Sequence, residues 1–200
     1  IILYVYNLTS KYNAAAQSKL VNTGTIDKFS NRWGVKDITY LGAKYLCPVV
    51  DKKTFVSNFG KAYIRKTLSK KLIFKGLNLL DGFIDLSGNY IPGKSTLVIC
   101  SDDINNLKFL CGLLNSKLAI FYIKSKYASS SYCGGITFSK DMINNFPVSS
   151  LTGFKEKVIS IVDKILDSGY SINLNKLLND TIYSSYNLSS AERRIIEQSI

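Results

Sequence analysis

The side chain best suited to proton transfer at neutral pH is missing, because the 200 residues contain no histidine. That absence excludes Ser-His-Asp and Cys-His nucleophiles, imidazole acid–base work and His-ligated zinc, and leaves carboxylates, lysine, tyrosine or a cofactor to carry any catalysis. The four cysteines, Cys47, Cys100, Cys111 and Cys133, stand 53, 11 and 22 positions apart without a C-x-x-C pair. Their mostly apolar neighbours (Leu46, Ile99, Leu110) suit buried free thiols rather than metal ligands. Asp51-Lys52-Lys53 would fit a metal nuclease only with a second carboxylate at suitable spacing, which is absent, so a solvated basic loop is expected. No Gly-x-Gly-x-x-Gly or Walker sequence is present to cradle a phosphate, and Gly134-Gly135 is the only paired glycine.

What the chain has in excess is basic charge. Lys and Arg number 26 against 14 Asp and Glu, a formal net charge of +12, and such an excess in a chain of mixed composition points to a polyanionic partner. Residues 1–100 hold fifteen basic and five acidic side chains, residues 101–200 eleven and nine. From Lys44 to Lys75 nine basic residues (Lys44, Lys52, Lys53, Lys61, Arg65, Lys66, Lys70, Lys71 and Lys75) stand against one acid, Asp51. Aromatics and amides are interleaved with this charge: Lys28, Phe29, Asn31, Arg32, Trp33 and Lys36, then Tyr40, Lys44 and Tyr45, then Tyr63, Arg65 and Lys66.

Phosphates attract lysine without regard to sequence, whereas Arg and Asn form bidentate pairs with guanine and adenine edges. Only Arg32 and Arg65 precede residue 193, which makes them the candidate base readers, with a structural ion pair as the alternative for each. Trp33 suits a local core anchor better than a stacking platform. The candidate DNA contacts are therefore Lys28, Asn31, Arg32, Lys36, Lys52, Lys53, Arg65, Lys66, Lys70 and Lys71, together with Ser130 and Ser131 of a Ser- and Gly-rich loop.

These side chains need a frame. Lys19 to Gly24 reads as a short strand, Asp27 to Gly34 as an exposed polar and aromatic loop, and Leu72–Phe74, Phe83–Leu86 and Ser95–Cys100 as strands of an antiparallel meander. Leu107, Leu110, Cys111, Leu114, Leu118, Phe121 and Tyr122 recur at steps of three and four, predicting one long helix over 104–126 capped by Ser101 or Asp102. A short helix opens at Ser139 and closes before Pro147. The glycine-poor tail predicts amphipathic helices over 154–167, 173–187 and 190–199, the last opened by the capping-box spacing of Ser189 and Glu192. The expected fold class is mixed α+β: a mainly antiparallel β-rich recognition body with a long helix, followed by a C-terminal helical bundle.

In this order, Val21–Asp27, Arg32-Trp33-Gly34, Pro92–Thr96, Leu113-Leu114-Asn115-Ser116-Lys117-Leu118 and Phe121-Tyr122 resemble the TaqI-like C-terminal specificity domain of adenine-specific restriction-modification methyltransferases. Ser129–Ser131, Gly134-Gly135 and Asn145–Val148 continue the likeness, and Leu177-Leu178, Ile182-Tyr183, Tyr186–Ser189 and Glu192-Arg193 are similar to the helical ending of those proteins. The match covers roughly residues 19–200. It implies a target recognition domain that reads a short double-stranded DNA site and binds no cofactor itself. A separate upstream methyltransferase domain of the same polypeptide would bind S-adenosylmethionine and methylate a flipped adenine, and the parent would in some cases also cut DNA. The opening Ile1-Ile2, without an initiator Met, agrees with a piece of a longer protein. Asn144-Asn145-Phe146-Pro147 faintly echoes the Asn-Pro-Pro-Tyr loop of amino-methyltransferases but lacks its proline geometry, so no catalytic residue is assigned.

The expected organisation is a linker over residues 1–18, with helical propensity at Tyr12–Gln17, a recognition domain over 19–150 and a helical subdomain over 151–200. No signal peptide is evident, and the apolar stretch from Phe109 to Ile123 is broken by Asn115-Ser116-Lys117, short of the roughly 20 residues a span requires. A cytoplasmic protein without membrane contact is expected. A catalytic fragment, or an RNA-binding or protein-interaction domain with a basic face, are the competing readings. Duplex competition separates RNA from DNA, because major-groove reading requires B-form geometry.

Overall fold

Short β-branched runs punctuated by glycine fill the first hundred positions and apolar stripes of helical period fill the second, and a computed structural model divides along the same line. It describes the backbone of residues 3–128, 131–132 and 135–200, and the side chains of these except residues 131, 132 and 135. The body opens with β1 (Val5–Asn7), β2 (Gln17–Val21), the two-residue strands β3 (Ile26–Asp27) and β4 (Ser30–Asn31), the hairpin β5 (Ile38–Tyr40) and β6 (Ala43–Tyr45), and β7 (Pro48–Asp51). Two helices, α1 (Lys52–Asn58) and α2 (Lys61–Leu68), lead into β8 (Lys71–Lys75), β9 (Gly82–Asp85), β10 (Tyr90–Pro92) and β11 (Thr96–Cys100). Then come α3 (Ile104–Leu114), α4 (Lys117–Lys126), β12 (Ser131–Tyr132), β13 (Gly135–Ile136) and α5 (Lys140–Asn144). The tail is α6 (Phe154–Ser168), α7 (Ile172–Ser185) and α8 (Ser190–Ser199). The class is mixed α+β with C-terminal helices, as expected.

The strands do not form one consecutive meander. Sheet order is β1-β7-β2-β10, with β10 parallel to β2, and separately β11-β8-β9, with β8 in the centre. The crossing of β10 into the first sheet follows from a turn built by Asp85. Its carboxylate accepts from the amides of Ser87, Asn89 and Tyr90 and from Ser87 Oγ. Lys71 Nζ donates to the same carboxylate at 2.6 Å, both side chains being wholly buried. Gly88, with φ at +67°, lies against the end of α2, where a Cβ would meet the Leu68 carbonyl oxygen at 2.0 Å.

Residues 12–17 are turn and strand rather than helix. Asn13 closes the turn by accepting from the Ala15 amide through Oδ1 and from the Gln17 amide through its carbonyl, and Gln17 then pairs with Asp51. The single helix expected over 104–126 is two helices. Asn115 interrupts it by turning its amide group onto Gly82, accepting from the Gly82 N–H at 2.9 Å and donating to the Gly82 carbonyl at 3.0 Å. Ser116 then caps α4, accepting from the Ala119 amide, and Asn179 of α7 accepts the Lys117 amide. The apolar stripe runs on through Leu114 and Leu118, so periodicity alone does not reveal the break. The cap of α3 is Asp103, which accepts from the Asn105 and Asn106 amides, in place of Ser101 or Asp102.

Two larger cores result. One joins Leu72, Phe74 and Leu107 to the tail residues Val158, Ile161, Val162, Leu178 and Ile182. Gly112 sits where α3 meets α6, and a Cβ there would lie 2.6 Å from Val158 Cγ1. The other, smaller core of Leu20, Ile38, Val50, Phe55 and Ile91 is covered by Tyr40, Tyr45, Phe59, Ile64 and Leu68. The tail helices and α5 form where the sequence places them, with Ser139, Ser171 and Ser189 as N-caps and a capping box at Ser189 and Glu192. Among the described residues no helix is long and apolar enough to cross a membrane.

Candidate nucleic-acid interface

The basic side chains separate into those the fold consumes and those it leaves free. Lys71 is a correction: wholly buried, it satisfies Asp85 and the Ser69 carbonyl and cannot reach a phosphate. Burial pushes its pKa down, countered by Asp85. Lys52 is largely committed too, donating to the Ala14 carbonyl at 2.6 Å and to Asn89 Oδ1 at 3.1 Å. Lys75 pairs with the buried Asp81 at 2.8 Å.

The segment from Asp27 to Gly34 is also corrected. It is a tight hairpin turned inward, because Phe29 holds a left-handed φ of +60° with its ring buried and its N–H donating to the Gly82 carbonyl. A bulky residue in that region is strained, and core packing on both sides of the turn holds it there. Lys28 at the same tip is half-buried. Desolvation lowers its pKa, Asp81 raises it, Lys117 lowers it and Glu197 raises it. Asn31 accepts the Trp33 amide on its Oδ1 at 3.2 Å, which ties the side chain to its own turn and takes one of the two lone pairs of the acceptor a bidentate adenine pair uses.

Trp33 is an anchor, donating from Nε1 to the Pro48 carbonyl at 2.8 Å. Its ring, with Tyr12 and Tyr90, surrounds the Lys19 ammonium at 4.5, 4.7 and 5.3 Å. Burial pushes the Tyr12 hydroxyl up to about 12, helped by Tyr90 and Asp85. Arg32, beyond this anchor, is half exposed, its Nε 3.8 Å from Asp27 Oδ2. A contact of that length between exposed groups leaves the guanidinium available.

Lys36, Lys53, Arg65, Lys66 and Lys70 are exposed and have no acidic partner within 4.0 Å among the described residues. Lys44 and Lys61 join them, although the candidate contacts above did not include either. The signal for Lys61 was its i, i+4 spacing to Arg65 along one helix face. Lys44, Lys53, Lys61, Arg65 and Lys66 ride on β6, α1 and α2, the elements that cover the smaller core. The rings of Phe55, Phe59 and Tyr63, with centroids 4.8 to 6.0 Å apart, tie α1 to α2. Tyr63 is 43% exposed there. Nearby, the β5–β6 turn presents Leu41, 70% exposed and in a left-handed φ of +49°. Ser130 lies outside the described residues; Ser131 is described only as backbone of β12, paired with Ile136.

The placement of these cations runs against helix electrostatics. The first turn of a helix disfavours positive charge by about 0.3–1 kcal/mol, yet α1 opens on Lys52-Lys53 and α2 on Lys61, and neither has an acid in its first turn. Asp51 caps α1, held below the usual carboxylate range by the Thr54 amide and hydroxyl. The helical half is mixed. Asp141, Glu156 and Glu192 occupy first turns there, α3, α4 and α7 have no acid in theirs, and Lys108 and Lys117 are each paired with an acid at 2.5 Å.

Cys111 is buried, which pushes its thiol up, and Cys47 and Cys100 are half-buried free thiols; Cys133 lies outside the described residues. Among the described residues no group of three Cys, Asp or Glu is placed to hold a metal. Compared with known proteins, the chain matches no family model and no curated protein.

Proposed function

We propose that this chain is a duplex-DNA recognition module, noncatalytic in itself. The observation that supports this best is the set of unneutralised cations on α1, α2 and β6, placed where the isolated fold gains nothing from them. A polyanion laid across these elements relieves the repulsion, and counterion release then drives association. Arg32, half exposed with Asp27 3.8 Å from its Nε, and Arg65, exposed with no acid within 4.0 Å among the described residues, are the remaining groups able to read base edges. The fuller reading is that of a target recognition domain in a restriction-modification adenine methyltransferase. It orients an S-adenosylmethionine-dependent catalytic domain of the same polypeptide on its site, and it rests on the motif resemblance alone.

Selection of bound duplexes from a randomised pool tests it. A preferred motif should emerge. Arg32→Ala or Arg65→Ala should then cost about 1–3 kcal/mol on that motif and much less on single-base variants. A pool that remains random, or equal losses on every duplex for both variants, contradicts base reading.

A further inference from the structure

The three-stranded sheet has an unusual border. β11 pairs with β8 through five unbroken partners, Thr96 with Lys75 to Cys100 with Lys71, and among the described residues its other side carries no strand. Edge strands are usually blunted by lysine, proline, a bulge or a covering element. Here the sequence is Thr96-Leu97-Val98-Ile99-Cys100, uncharged and without a bulge. Among the described residues, no main-chain group of Leu97 to Cys100 bonds to anything beyond β8.

A cavity of about 280 Å³ lies along this border. It is touched in succession by Leu97, Val98, Ile99 and Cys100, with Lys66 on α2 and Lys140 on α5 among its walls. Successive strand residues point to opposite faces, so a cavity that meets four in a row reaches the strand edge as well as the face that Leu97 shares with Phe74 of β8. Leu97, Val98, Ile99 and Ile143 give the cavity an aliphatic part, Lys66, Lys140 and Asn144 a polar one, and among the described residues no acid lines it.

We infer that the β11 edge is a strand-addition site for an extended peptide segment in which aliphatic side chains alternate with carboxylates. The unpaired main-chain groups supply the ladder, Leu97, Ile99 and Ile143 receive the aliphatic side chains, and Lys66 and Lys140 select the acidic ones. A second copy of this chain is a poor occupant because it would bring the same lysines together. Single-stranded nucleic acid is disfavoured because, among the described residues, the one aromatic that lines the cavity, Phe74, is fully buried and offers no stacking face. This inference does not rest on the DNA reading.

The test is fluorescence anisotropy of the full chain with a labelled hexapeptide alternating isoleucine and glutamate. Two further probes are the lysine-for-glutamate peptide and the acidic peptide with alternate amides N-methylated. The acidic peptide should bind at least tenfold tighter than the lysine peptide, and N-methylation in one of the two registers should abolish binding. K140E should weaken the acidic peptide at least tenfold, with K140Q intermediate and both variants melting as the parent does. Equal binding of the two charge types, indifference to N-methylation in both registers, or no binding at millimolar peptide overturns the site. So does a K140E protein that loses duplex DNA affinity while keeping the peptide, since the cavity would then serve nucleic acid.

Discussion

Lys53 and Lys71 have the same side chain and opposite fates, and the difference lies in the elements that carry them, an exposed helix and a strand buried on both faces. Lys53 stands exposed in the first turn of α1, whereas Lys71 opens β8 facing inward, where Asp85 already gathers the turn before β10. Lys71→Met should cost about 3–5 kcal/mol in urea unfolding, because the Asp85 carboxylate would stay buried without its counter-charge. Duplex affinity should be unchanged once the variant is folded; a selective loss of affinity at full stability would mean that Lys71 reaches the ligand. Residue type and local density grouped Lys71 with the phosphate contacts, since nothing in Lys70-Lys71 tells which lysine turns inward. Asn31 and Lys28 are less exposed than their polarity suggests, because the buried Phe29 between them pulls the turn towards the core.

At the scale of elements, α5 and α8 are legible in sequence through Ser139 and the Ser189–Glu192 box, and α6 and α7 through their apolar stripes, whereas α1, capped by Asp51, stands where the sequence suggests a basic loop. The break between α3 and α4 was hidden because its cause is tertiary: Asn115 needs Gly82, 33 positions away, to give it two bonds. Asn115→Ala leaves the buried Gly82 N–H without a partner, while the Gly82 carbonyl keeps the Phe29 amide, so stability should fall by about 1–3 kcal/mol. Unchanged thermal unfolding would show that the junction is held otherwise. The Glu192 carboxylate, drawn below the ordinary glutamate value by the Ser189 hydroxyl and amide, contributes stability only while ionised. Protection of the Ser189 amide should therefore be full above pH 4.5 and fall away as pH drops through the lowered value. Glu192→Gln should remove that pH dependence, which amide exchange or NMR titration will read. For α1 and α2 the expectation is a trade. Lys53→Glu with Lys61→Glu should raise stability by about 0.5–2 kcal/mol, as acids replace cations in two first turns, while weakening duplex binding. A double variant that loses stability would show these lysines to be part of the fold.

Across the whole molecule, composition already separated a basic first half from a balanced second half, and the structure gives the division a physical form. The helical half is nearly balanced in charge, pairs Lys108, Lys117 and Lys176 with acids and buries its stripes against α3, while the sheet body leaves Lys36, Lys44, Lys53, Lys61, Arg65, Lys66 and Lys70 without acids among the described residues. The sheet topology was the least legible part, because β10 is three residues long and its parallel pairing with β2 spans some seventy positions. The central claim is that these free cations meet the phosphates of duplex DNA. It is tested most directly by measuring the dissociation constant of the chain for a 20-base-pair duplex across salt concentrations, for the parent and for Lys53→Glu/Lys61→Glu. If four to six cations engage, the log-log slope should be about −4 to −5, at roughly 0.9 per phosphate, and the double variant should flatten it by about 2. A slope near zero, or one the two substitutions leave unchanged, contradicts the account.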